Sequence, residues 1–188
     1  MKTQIIVMIL LVLSTKTITA SNSFIKSDEK KSIIVNRGEW KSNNVNVQIT
    51  DENGFTIFNQ KLDKRIDIMK YNMSFLQEGK YFIEVSDDLR IVSTEFNVRR
   101  NQIVIDTETK TMFKPQIKTD KKHVDINLLS LKNNAAIQIS DNHGNELYSE
   151  TSSSMNMHKR MNVSALPSGR YFVSVKVGDK YFEHEFTK

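Results

Sequence analysis

Apolar and polar residues alternate along most of the chain with a period of two. Val45, Val47 and Ile49 are separated by polar residues, as are Val92, Thr94, Phe96 and Val98. Val124, Ile126 and Leu128 repeat the spacing, and so do Tyr81, Ile83 and Val85, and Tyr171, Val173 and Val175. Successive side chains of an extended backbone point to opposite faces, so each run predicts a strand with one buried face. Shorter runs at Ile33–Val35 and around Ile57 and Phe58 predict further strands, Ile66 and Ile68 alternate like another, and Val92–Val98 reads as the final strand of its unit. After residue 20 no stretch of usual helix length carries a 3.6-residue period. The expected fold class is all-β.

Turn chemistry punctuates these runs. Asp51-Glu52-Asn53-Gly54 follows the Val45 run and precedes Ile57. Asn-Gly accepts the positive φ that right-twisted hairpins need, so a hairpin is predicted there. Arg37-Gly38-Glu39 and Ser86-Asp87-Asp88 predict turns, and the serine-rich stretch from 150 to 156 predicts a loop. Residues 21–31 are polar and charged and read as a leader with little fixed structure.

The pattern returns without a gap after ninety residues. Gln48, Ile49, Asp51 and Gly54 recur as Gln138, Ile139, Asp141 and Gly144. Leu76-Gln-Glu-Gly79-Lys-Tyr81-Phe82 recurs as Leu166-Pro-Ser-Gly169-Arg-Tyr171-Phe172. Thirteen positions are identical between residues 45–98 and their counterparts, most at turns or inward-facing sites, which reads as two copies of one domain. A leucine before the turn and a tyrosine after it resemble the tyrosine corner of immunoglobulin-like sandwiches. The expected architecture is two tandem immunoglobulin-like antiparallel β-sandwiches, spanning 32–105 and 112–188, split near residues 105–112. Asp51, Gly54, Leu76, Gly79 and Tyr81, with Asp141, Gly144, Leu166, Gly169 and Tyr171, are read as fold-forming. Gly79 and Gly169 are expected to hold positive φ at the turn.

Lys2, the apolar run from Ile5 to Leu13 and the small residues up to Ala20 predict a cleaved secretory signal peptide over 1–20. Removing it takes Lys2 and Lys16 from 27 basic residues and leaves all 22 acids, lowering the net charge from +5 to +3. No basic stripe interleaved with aromatics is present, so a nucleic-acid partner is not expected. Once the signal is removed, no stable membrane insertion is expected. The absence of cysteine excludes a disulfide framework and a lipid anchor at the cleavage site. Stability must then come from the hydrophobic cores.

Candidate chemistry is sparse. His123, His143, His158 and His184 show no ligand spacing, so no metal and no cofactor are expected. The Asp51 and Asp141 turns offer oxygens, but neither follows the alternating calcium-loop pattern. No nucleophile elbow or carboxylate pair stands out, and the protein is read as no enzyme. Asn72-Met-Ser74 and Asn162-Val-Ser164 match the glycosylation sequon, yet their recurrence inside the turn points to backbone hydrogen bonding there. Trp40, Phe55 and Tyr181 have less obvious burial and could form a stacking surface.

The second copy resembles the C-terminal sorting domains of the type IX secretion system of Bacteroidetes. The resemblance is carried by Ile137-Gln-Ile139-Ser-Asp141-Asn-His-Gly144, by Asn162-Val-Ser164-Ala-Leu166-Pro-Ser-Gly169-Arg-Tyr171, and by the tail Glu185-Phe186-Thr187-Lys188. It covers residues 112–188 and, more weakly, the first copy. It implies an exported protein, extracellular, at the cell surface or periplasmic. It also implies that the second domain, with Phe186 and Lys188 in its tail, is read by the outer-membrane secretion machinery. The competing expectation is a binding or adhesion module that presents sandwich loops to glycan or protein.

Overall fold

The computed structural model describes residues 25–28, 31–131 and 133–188. The expected signal peptide lies outside the described residues.

Fifteen strands follow one another in the described chain. The first eight are β1 (Ile25–Asp28), β2 (Ser32–Asn36), β3 (Val45–Asp51), β4 (Thr56–Leu62), β5 (Ile68–Asn72), β6 (Gly79–Ser86), β7 (Arg90–Val98) and β8 (Ile103–Phe113). The other seven are β9 (Gln116–Thr119), β10 (His123–Leu129), β11 (Ala135–Asp141), β12 (Glu146–Ser152), β13 (Asn156–Asn162), β14 (Arg170–Val177) and β15 (Lys180–Thr187). Every strand pairing is antiparallel, and the only helical element described is a 3₁₀ turn at Arg37–Glu39.

A three-stranded sheet, β1-β2-β5, faces a five-stranded sheet, β4-β3-β6-β7-β8. Their inner faces meet in one core built from Ile33 and Val35 on one side and Val47, Ile49, Ile83, Val85 and Phe96 on the other. The second unit repeats this with β13-β10-β9 facing β12-β11-β14-β15. Its core joins Val124, Ile126 and Leu128 to Ile137, Ile139, Val173 and Val175. These are the alternating residues of the sequence. Each such aliphatic side chain contributes about 1.5–3 kcal/mol by leaving water, enough to stabilise a cysteine-free sandwich.

Three expectations change. Residues 25–28 of the leader form β1, because Ile25 is buried against the first core and the segment pairs with β2. Residues 105–112 are not an inter-domain junction. They lie in β8, which pairs with β7 from Val98↔Ile103 to Arg90↔Phe113, with a register shift between Thr94 and Phe96. Alternating threonines and a paired backbone keep this polar stretch in the sheet, where the ninety-residue repeat alone sets a split. The expected serine loop shrinks to 153–155, since residues 150–152 end β12.

The two units meet where β8 ends. Met112 lies in β8 yet packs against the second core, and a Cβ on Gly178 would come within 3.6 Å of its Cε. Lys180 donates to both carboxylate oxygens of Glu84, at 2.8 and 2.9 Å.

Candidate functional site

Each copy builds the same turn from the same atoms. Asn72 Oδ1 accepts from the Ser74 amide, and Asn162 Oδ1 from the Ser164 amide, both at 2.9 Å. This is the backbone role that the recurring sequons imply. Leu76 and Leu166 then close the turn through amides that donate to the Met73 and Val163 carbonyls, at 3.0 and 3.1 Å. Tyr81 packs beneath, its ring stacked on Phe96 and its hydroxyl donating to the Gln77 carbonyl at 3.1 Å. Tyr171 does the same with Phe186 and the Pro167 carbonyl, at 2.8 Å.

The two glycines of this turn divide. Gly79 holds a positive φ, +157°, toward the extended end of the positive range, whereas Gly169 does not. Both are already strand-like. Gly79 opposes Val98, and Gly169 exchanges two backbone hydrogen bonds with Lys188. Gly178 is left-handed at +58° between β14 and β15, and so are Gly54 and Gly144, at +84° and +82°, in the hairpins β3–β4 and β11–β12. There Asp51 Oδ1 accepts from the amides of Asn53 and Phe55, and Asp141 Oδ1 from those of His143 and Asn145. The Asn145 side-chain amide, followed by those backbone amides, holds the Asp141 carboxyl below the usual range. These oxygens are committed to their own turns. Among the described residues, no three His, Cys, Asp or Glu side chains group as metal ligands.

The three uncertain aromatics separate. Trp40 is 1% exposed and belongs to the first core, with the Arg90 guanidinium 4.6 Å from its ring centre. It is no stacking surface. Phe55 sits exposed in the β3–β4 hairpin. Tyr181 is 59% exposed on the outer face of the second four-stranded sheet, where its hydroxyl donates to Ser174 Oγ. Beside it Gln138, Glu146, Ser149 and Lys176 line a shallow concavity of about 460 Å³.

The copies differ most at one edge. In the first, β7 lies between β6 and β8. In the second, its counterpart β15 pairs with β14 and, among the described residues, with no other strand. The inward side chains register the difference. Val92, Thr94 and Phe96 are buried, whereas Phe182 and His184 are half-buried and only Phe186 is buried. Next to this edge, His184 Nε2 lies 3.4 Å from Thr119 Oγ1 of β9, and Lys188 Nζ donates to the Lys121 carbonyl at 2.5 Å.

Fold and turns together define a tandem of antiparallel β-sandwich modules, each closed by an asparagine–leucine–tyrosine turn. The chain belongs to the family described as secretion system C-terminal sorting domain, whose model matches residues 29–99 and again 118–186. No curated protein matches the chain. Among solved structures it is similar to a biofilm-associated protein BSP domain, at 14% identity and a TM-score of 0.30 over 87% of this chain. The chain spans 28% of the length of that structure. It is also similar to a segment of two fibronectin type III domains from chicken tenascin, at 6% identity and a TM-score of 0.33, covering 87% of this chain and 97% of that one.

Proposed function

We propose that this is a non-enzymatic exported protein whose second sandwich is the signal read by outer-membrane type IX secretion machinery. The observation that carries the reading is the double match to the sorting-domain family. The second copy is favoured as the signal because its last strand is accessible, whereas the equivalent strand of the first copy is held between two neighbours. The protein is accordingly delivered to the cell surface or the medium. No catalytic constellation is assigned: the recurring aspartates accept, and the recurring tyrosines donate, hydrogen bonds within their own turns.

The test is a reporter with a periplasmic export signal, fused to residues 112–188 and expressed in a type IX-competent host. Starting at Met112 keeps the side chain that this core uses. Appearance of the reporter outside the cell supports the reading. Retention in the periplasm, with the fusion intact and folded, overturns it.

A second reading has one specific observation in its favour. Tyr181 offers an exposed ring beside amide, carboxylate, hydroxyl and ammonium groups, a combination suited to a sugar ring. It places recognition on a sheet face and not on loops. Binding on a glycan array that Tyr181→Ala abolishes would favour this reading.

A further inference from the structure

We infer that the free edge of β15 is a strand-docking site, and that its occupant is an extended peptide with threonine or aliphatic side chains inward and basic side chains outward. The inference deepens the sorting reading, and rests on it for the source of the partner, by naming the surface through which the second sandwich is gripped.

The argument comes from the first copy, where the equivalent place is filled. There β8 runs antiparallel along β7, pairing Thr111 with Val92, Thr109 with Thr94, Ile105 with Phe96 and Ile103 with Val98. These β7 positions correspond, ninety residues on, to Phe182, His184, Phe186 and Lys188. A strand added to β15 in that register sets Thr111 and Thr109 beside Phe182 and His184, and Ile105 beside Phe186. It covers the inward side chains that β15 leaves half-buried. A sheet edge carries a row of backbone donors and acceptors, and an added strand satisfies them while alternate side chains supply specificity.

Charge identifies the occupant further. On the outward side, Ser93 of β7 faces Lys110 of β8. Its counterpart is Glu183, and Glu185 follows two residues on, both exposed. A lysine or arginine at the Lys110 position would therefore meet a carboxylate. A second copy of β15 fits worse. Antiparallel self-pairing centred on His184 sets Glu183 against Glu185, and centring on either glutamate sets it against itself. Like charges directly opposite across a ladder are destabilising.

The test uses the intact protein and a synthetic peptide of residues 102–114, followed by titration calorimetry and amide NMR. Saturable binding is expected, with shifts confined to β15 and the adjoining Thr119 region. Two N-methylated peptides, blocked on alternate residues, should separate: one set faces β15 and loses binding, and the other retains it. Glu183→Lys, on an exposed position, should weaken binding of the peptide by about threefold to tenfold. No binding, shifts elsewhere, or equal binding of both methylated peptides would overturn the inference. Self-association that protects the β15 amides would overturn the choice of occupant, assigning the edge to a second copy. A peptide that fails to bind beside a reporter that is still exported removes the edge and leaves the sorting reading standing. Capture of the peptide without export of the reporter does the reverse.

Discussion

Lys180 of the second copy lies 2.8 Å from Glu84 of the first, side chain to side chain, each partly shielded from water. The pair ties the β14–β15 turn to the outer face of the five-stranded sheet. Partly exposed pairs contribute about 0.5–1 kcal/mol and weaken with salt. A double-mutant cycle over Lys180→Met and Glu84→Gln should give a coupling in that range by urea denaturation, falling in 1 M salt, on the order of full screening. A coupling of zero at low salt would mean that the pair does not hold the units together.

Proteolysis distinguishes the paired β8 from a linker. Lys110 sits in a strand bonded to β7, whereas Arg99 and Arg100 lie in an exposed connection. Limited trypsin digestion should cut after Arg99 or Arg100 before it cuts after Lys110. First cleavage at Lys110 would favour the junction expected from the ninety-residue repeat.

The tyrosines should respond according to their hydroxyls. Tyr171→Phe loses the bond to the Pro167 carbonyl, about 1 kcal/mol, and Tyr171→Ala removes a buried stacked ring, costing about 3–5 kcal/mol. Tyr71 offers the opposite case. Its buried hydroxyl has no hydrogen-bond partner among the described residues, and burial pushes its pKa up to about 12. Tyr71→Phe should therefore leave stability unchanged or raise it by up to about 1 kcal/mol. Chemical denaturation midpoints check both, and a loss at Tyr71 as large as that at Tyr171 would contradict the assignment.

Two glycines of the second copy should separate in the same assay. A Cβ on Gly144 meets nothing within 4 Å, but its φ of +82° strains any side chain, so Gly144→Ala should cost about 1–2 kcal/mol. At Gly169 the backbone is not left-handed, and a Cβ would touch the Tyr171 ring at an ordinary 3.6 Å. Gly169→Ala should cost less than Gly144→Ala. The reverse order would restore Gly169 as the strained position.

Acid should destabilise the second sandwich. The Asn145 amide lowers the Asp141 pKa, the Lys122 and His123 backbone amides lower that of Asp120, and the Arg160 guanidinium lowers that of Asp125. Each folded value lies below the unfolded one, near 4. The stabilisation is therefore complete above about pH 4 and is lost as pH falls through the lower folded values. Urea midpoints should fall on acidification below that point, and Asp141→Asn should reduce the fall. A midpoint that does not move across that range would contradict the shifts.

Local pattern was enough for the strands and most of the turns. Alternation in Val45–Ile49 or Tyr171–Val175 specifies a buried face wherever the strand ends up, because the side-chain period belongs to the backbone. The Asp-x-x-Gly hairpins and the asparagine-to-serine turn bonds span five residues or fewer, so they too were legible. The outlying cases depended on distant partners. Trp40 gains its burial, and Ile25 its strand, only from segments brought against them by the fold.

By itself the sequence determined an all-β chain of two like units, with a core face and a closing tyrosine turn in each. Only the tertiary structure decided that residues 106–113 belong to the first sheet, that Met112 serves the second core, and that one edge of β15 is unpaired among the described residues. The physical reason is that pairing is a property of two strands at once. A strand's own residues set which side is apolar, but whether its backbone groups are met by a neighbour depends on a segment elsewhere in the chain. The same inward-facing positions are therefore sealed in β7 and half-open in β15.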